Sequence, residues 1–237
     1  MKLPISKRLL RCAAFVPKGA RVADVGTDHG YLGIYLLNQG IAAHVIAADL
    51  RQAPLQAARR NAAKYGVDAR MEFRLSNGLA EIAPDEADTI VCAGMGGDLI
   101  VEILSRCAWL RTPACRLILQ PQSAGQELRR WLGENGFAVE REEPVQDGKF
   151  LYTVLLARPG EGKRLTPGQQ YVSPWLLESG DALVEPYMAR IAAALRTTVV
   201  GLEHAEHPRP ERVAYYRTAL EEVEEMRKRY ENGTGNL

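Results

Sequence analysis

With 237 residues, 46% of them apolar and 25% charged, the chain has the balance of a soluble globular protein holding one main domain and a smaller one. A formal net charge of +1 gives no bulk signal for nucleic acid, and no apolar run nears the ~20 residues a membrane span needs. The start, Met1–Arg8, lacks the uninterrupted apolar core of a secretory leader. Cys12, Cys92, Cys107 and Cys115 show no CxxC spacing and read as reduced core residues of a cytoplasmic protein, so neither a metal nor a disulfide is expected. Two local basic clusters, Lys7/Arg8/Arg11 and Arg129/Arg130, read either as patches for a polyanion or as solvated helix faces.

Strand and helix signals alternate through the first two thirds. Arg21–Val25 is a β-branched run ending at Gly26, and Tyr31–Asn38 has helical spacing closed by Gly40. Ala43–Ala48 predicts a second strand ending at Asp49, and a long Ala/Arg helix follows with Pro54 near its start and Gly66 at its end. Arg70–Leu75, Asp88–Cys92 and Cys115–Leu119 predict three more strands, with helices from about Asp98 and over Gly125–Asn135. This repetition implies a parallel sheet covered by helices on both faces. Phe137–Val145 and Phe150–Arg158 break the pattern as an antiparallel hairpin, with Asp147-Gly148 as its turn signal. The fold class is therefore α/β and Rossmann-like.

After Pro159 the composition shifts. Gly160–Gln170 reads as a polar linker. Tyr187, Ile191, Leu195, Val199 and Leu202, then Val213, Tyr216, Leu220, Val223, Met226 and Tyr230, predict two helices paired as a hairpin resembling a short coiled coil. Domains are placed at 1–160 and 161–237. Asn232–Leu237 are expected to fray, and His204 and His207, with no partners to complete a metal site, are expected on the surface.

The sharpest local signal is Asp24-Val25-Gly26-Thr27-Asp28-His29-Gly30, lying between a strand and a helix. A dinucleotide fingerprint carries a second glycine where Asp28 stands; a carboxylate there repels a pyrophosphate but not a sulfonium or an amine. Gly26 and Gly30 suit a tight turn close to a ligand. Asp49 is placed to accept hydrogen bonds from a ribose diol, Asn77-Gly78 to meet an adenine edge, and Ala93-Gly94-Met95 to border the reacting centre, with Met95 as a wall. All these loops fall at the carboxyl ends of predicted strands.

Ile5-Ser6-Lys7-Arg8-Leu9, the Asp24–Leu32 turn, Ala93–Gly97, Leu117–Pro121 and the Asp147-Gly148-Lys149 hairpin together resemble the bacterial tRNA adenine-N1 methyltransferases that modify position 22. The resemblance spans essentially the whole chain, with Asn77 and Asp49 as departures from residues also found there. It implies a class I methyltransferase fold with a helical C-terminal domain, S-adenosyl-L-methionine as cofactor and tRNA as substrate. It also implies cofactor contacts from Asp24, Gly26, Asp28, His29, Gly30, Asp49, Asn77, Gly78, Ala93, Gly94 and Met95. Asp28, His29 and Gln120 become the catalytic candidates. Tyr31, Met95, Gln120 and Pro121 would border the base, and Lys7, Arg8 and Arg11 would hold the RNA backbone. Read from residues alone, three alternatives stay open: a methyltransferase of small molecules or proteins, a non-catalytic RNA-binding Rossmann protein, and a nicotinamide oxidoreductase, which Asp28 disfavours. Oligomeric state is not legible.

Overall fold

The computed structural model describes residues 3–207 and 209–233. Helix α1 (Lys7–Phe15) opens on Ser6, whose hydroxyl accepts the Leu9 amide, and ends just before Pro17. Strands β1 (Ala20–Val25), β2 (Ala42–Asp49), β3 (Met71–Leu75), β4 (Thr89–Met95), β5 (Arg116–Pro121), β6 (Phe137–Asp147) and β7 (Phe150–Pro159) form one sheet in the order β3-β2-β1-β4-β5-β7-β6. The first five run parallel, and β7 lies antiparallel to both β5 and β6. Helices α2 (Tyr31–Asn38), α3 (Gln52–Lys64), α4 (Gly97–Ser105) and α5 (Gly125–Glu134) connect the strands.

The chain enters mid-sheet at β1, works outward to β3, and returns to place β4 beside β1. That reversal is the topological switch point, where open α/β sheets bind ligands. Alternation along the central strands explains the two buried faces. Ala23, Val25, Ile90, Cys92, Leu117 and Leu119 meet Ile100, Leu104, Leu128 and Leu132 on one side. Val22, Val91 and Ile118 meet Cys12, Phe15, Leu32 and Leu36 on the other. All four cysteines are free and buried.

Two short helices, α6 (Pro167–Tyr171) and α7 (Pro174–Glu178), come next, and α6 takes up the last four residues of the linker expected over 160–170. Each carries proline at its first position behind a hydroxyl cap, Thr166 or Ser173, and Thr166 with Gln169 completes a capping box. Helices α8 (Val184–Glu203) and α9 (Pro210–Glu231) follow. Ion pairs Glu185–Arg227, Arg196–Glu224 and Glu203–Arg217 run in opposite sequence directions, so the two helices are antiparallel. Their apolar stripes meet at Met188, Ala192, Leu195, Ala219 and Val223, in a cluster separate from the two flanking the sheet. His204 and His207 are exposed. Of the expected frayed end, residues 234–237 lie outside the described chain.

Arg129 departs from both sequence readings. It is 2% exposed, and its Nε donates to both carboxylate oxygens of Glu142 (3.1 and 3.0 Å) while Nη1 donates to the Gln170 carbonyl (2.9 Å). Ser173 Oγ donates to the same Glu142, so the pair bridges β6 and α5 to α6 and α7.

Candidate active site

A cleft of about 430 Å³ opens at the switch point, lined by the ends of β1, β2 and β4 together with α1 and α2. Its floor is the turn after β1, where Gly26 (φ 73°), Asp28 (φ 51°) and Gly30 (φ 74°) all take left-handed backbone. Asp28 is one of two non-glycine residues there among the described residues, a geometry aspartate tolerates better than most. The turn is held from below: the Gly26 and Thr27 amides both donate to the Ala48 carbonyl (2.8 and 3.1 Å). From the side, Asn61 Nδ2 of α3 donates to the His29 carbonyl (2.9 Å). A Cβ on Gly26 would come within 2.9 Å of Met95 Cε, so a side chain here would intrude on the wall opposite.

Two buried carboxylates face this cleft. Asp24 is 4% exposed, and the Thr27 hydroxyl donates to its Oδ2 (2.7 Å). Burial drives its pKa up to about 6; the Thr27 bond lowers it, and the charge of Asp49 raises it further. Asp49 is 7% exposed and accepts the Arg51 amide through Oδ1 (2.9 Å). At the mouth, Asp28 and His29 are largely exposed, 3.7 Å apart, and the His29 ring stacks on Tyr31 at 5.6 Å between centroids.

Of the residues singled out from sequence, Arg8, Asp24, Gly26, Asp28, His29, Tyr31, Asp49, Ala93, Gly94 and Met95 converge on this cleft. Gly30 sits behind them, and a Cβ on it would strike Ala58. Asn77 and Gly78 lie outside the lining: Asn77 is exposed, and their turn is tied by Ser76 Oγ donating to the Gly78 carbonyl (2.9 Å). Gln120 is fully buried behind the wall; its Oε1 accepts from Arg8 Nη1 (2.9 Å) and its Nε2 donates to the Pro121 carbonyl (2.9 Å). Pro121 lines a separate recess. Lys7 and Arg11 border a third hollow on the outer side of α1, where Arg11 pairs with Glu143.

Arg8 therefore points inward, not toward solvent. Its guanidinium spans Gln120 at the end of β5 and Asp147 Oδ2 at the hairpin tip (3.4 Å). A Cβ on Gly94 would come within 2.7 Å of Arg8 Nη1, so the bare backbone after β4 is what leaves room for it. Sequence reasoning also passed over Leu99 and Thr27. Leu99 is 46% exposed at the first turn of α4, an apolar wall whose only sequence signal was its place after Gly96-Gly97.

Comparison with known proteins places this geometry. A model of the methyltransferase domain matches residues 5–155. A tRNA (adenine(22)-N1)-methyltransferase of Bacillus subtilis is 33% identical over 86% of this chain and 84% of its own. The chain belongs to the tRNA (adenine(22)-N1)-methyltransferase family. The structure of the m1A22 tRNA methyltransferase of B. subtilis superposes on 98% of this chain and 99% of its own, with a TM-score of 0.79 and 28% identity. A Streptococcus pneumoniae protein solved in complex with S-adenosyl-L-methionine matches 93% of this chain and 98% of its own, with a TM-score of 0.80 and 31% identity. Family membership thus extends through the helical end of the chain as well as the sheet.

Proposed function

We propose that this protein transfers the methyl group of S-adenosyl-L-methionine to N1 of adenine 22 in tRNA. The observation that carries the reading is the meeting of Asp24, Asp28 and Asp49 in one cleft at the switch point of a sheet whose relatives are methyltransferases of that base. The cleft fits the cofactor on its own chemistry. Asp24, buried with its pKa driven upward, is a carboxylate that a bound ammonium or sulfonium would relieve. Asp49 can accept from a ribose diol. Met95 and Leu99 offer apolar surface to the adenine ring, and the bare Gly26 lets the turn approach Met95 closely. When bound, S-adenosyl-L-methionine supplies an electrophilic methyl group.

The protein's own work is then positional and electrostatic. Neutral adenine already carries a lone pair at N1, so no base is needed to create the nucleophile. Methylation makes the base cationic, and the exposed carboxylate of Asp28 beside His29 is placed to favour that charge. Tyr31, stacked with His29, offers a ring face to an extruded base. Gln120 acts through Arg8, which it orients at the cleft wall. Two domains meeting near residue 160 fit the separate apolar cluster of the helical end. We place the protein in the cytoplasm, where tRNA is modified; among the described residues no helix is long and apolar enough to cross a membrane.

The direct test incubates the protein with methyl-labelled S-adenosyl-L-methionine and unmodified tRNA, then digests the RNA. Label in 1-methyladenosine at position 22 is expected. Cofactor binding by calorimetry without transfer to any tRNA would assign the cleft to another methyl acceptor.

A further inference from the structure

A second recess, of about 150 Å³, lies beyond the loop that follows β5. This loop is tied by backbone hydrogen bonds to the segment that walls the cofactor cleft. The Gln122 amide donates to the Met95 carbonyl (2.9 Å), and the Gly97 amide donates to the Ser123 carbonyl (2.7 Å). Met95 belongs to the cofactor cleft, whereas Pro121, Gln122 and Ser123 border the recess. Its far side comes from β7 and α8, so it exists only because the helical end of the chain docks on the sheet.

The lining is chemically distinctive. Tyr152 and Tyr171 are half-buried, and Tyr187 is buried beneath the guanidinium of Arg190, 5.4 Å from its ring centre. Among the described residues, no acidic side chain lines the recess. Arg129 contributes no free charge, because Glu142 neutralises it. Arg190 is exposed and makes no ion pair among the described residues, which leaves it as the available cation. Gln122 and Ser123 add exposed hydrogen-bonding groups at the rim.

We propose that this recess receives a nucleobase adjacent to the methylated adenine, stacked against the Arg190–Tyr187 pair, and so fixes which nucleotide enters the cleft. The inference rests on the tRNA reading above and deepens it. Three features select a base over other occupants. The space is about a third of the cofactor cleft, too small for a nucleoside cofactor with its side chain. Flat aromatic and guanidinium surfaces are what single-stranded bases stack on, whatever their identity. A cationic, acid-free lining suits a polyanionic strand whose target base enters the neighbouring cleft.

The test pairs protein variants with modified RNA. Wild-type protein, Arg190→Ala and Arg190→Lys are assayed for methylation of a tRNA transcript and of two transcripts abasic immediately 5′ or 3′ of the target adenine. Gln122→Ala serves as a milder rim variant. Arg190→Ala is expected to raise the tRNA KM about tenfold, consistent with the loss of one stacked base, while leaving cofactor affinity by calorimetry unchanged. Arg190→Lys should recover only part of that loss, since a point charge does not stack. One of the two abasic transcripts should cost the wild type a similar factor, and Arg190→Ala should lose nothing further on it. If both abasic transcripts are methylated like the intact one, or if Arg190→Ala loses the same factor on all three, the recess holds no base. Failure of the wild type to methylate intact tRNA would instead remove the tRNA reading, and this inference with it.

Discussion

The cleft places a carboxylate where water cannot fully solvate it. Asp24 is held at 4% exposure with one hydroxyl partner and a second carboxylate nearby, and its pKa rises from 3.8 to about 6. A raised pKa means that the folded state binds the proton more tightly than the unfolded chain. Its stabilising contribution is therefore present below pH 4 and lost as pH climbs through 6, a difference of about 3 kcal/mol. A cationic ligand beside Asp24 reverses the preference and must expel the proton at low pH. Cofactor affinity measured by calorimetry is expected to weaken about tenfold between pH 7 and pH 5. Asp24→Asn should bind more weakly at neutral pH and show a flat profile over that range. A slope that survives the substitution would assign the titration to a group other than Asp24.

At the level of elements, the strands of the sheet were legible as short, largely apolar runs set between turn signals and helical spacing, and the structure keeps them within a few residues. Two things were not legible. Helix α1 showed only as a basic cluster that suited a helix face or a polyanion patch, because nine residues are too few to fix a period; its Ser6 cap and Pro17 stop were the available signals. Helices α6 and α7 are five residues each, too brief for periodicity, yet Thr166-Pro167 and Ser173-Pro174 mark both starts. Arg129 shows why site reading is harder than fold reading. Nothing local distinguishes it from Arg130, and only its long-range partner Glu142 makes it buried. The α6 turn also explains how the helical hairpin is seated. Glu222 of α9 accepts from the Thr166 hydroxyl and the Gly168 amide, both at 2.6 Å, and a Cβ on Gly168 would come within 2.5 Å of Glu222 Cβ. Gly168→Ala is expected to force α6 and α9 apart and to destabilise the protein by about 1–3 kcal/mol. Denaturant titration would show a lowered midpoint, whereas Gly201→Ala, open on α8, should leave it unchanged or slightly raised.

Across the whole molecule, the decisive joint is the buried pair Arg129–Glu142. The Arg129 guanidinium reaches the Gln170 carbonyl and Thr153, and Glu142 also accepts from Ser173, so one ion pair fastens the end of the sheet to the helices beyond it. Burial works to raise the Glu142 pKa, but Arg129 and the hydrogen bonds from Ser173 and Thr153 outweigh it and hold the carboxyl below its ordinary range. Its stabilising contribution is present above the unfolded value and lost as pH falls through the folded one, opposite in sign to that of Asp24. The same joint shapes the recess beside the cleft, since Arg129 and Thr153 both line it. Glu142→Gln keeps the shape and removes the charge, leaving a guanidinium buried without its counter-ion at a cost of about 3–5 kcal/mol. For a chain of this length that corresponds to a melting temperature lower by roughly 10 °C. Arg130→Gln, one residue from Arg129 but exposed, is the matched control and should change stability by no more than about 0.5 kcal/mol. If the joint fastens the two halves, Glu142→Gln should also expose the 160–165 segment to protease under native conditions while the sheet stays intact. Equal melting temperatures for the two variants would mean that the helices are held by their apolar contacts alone.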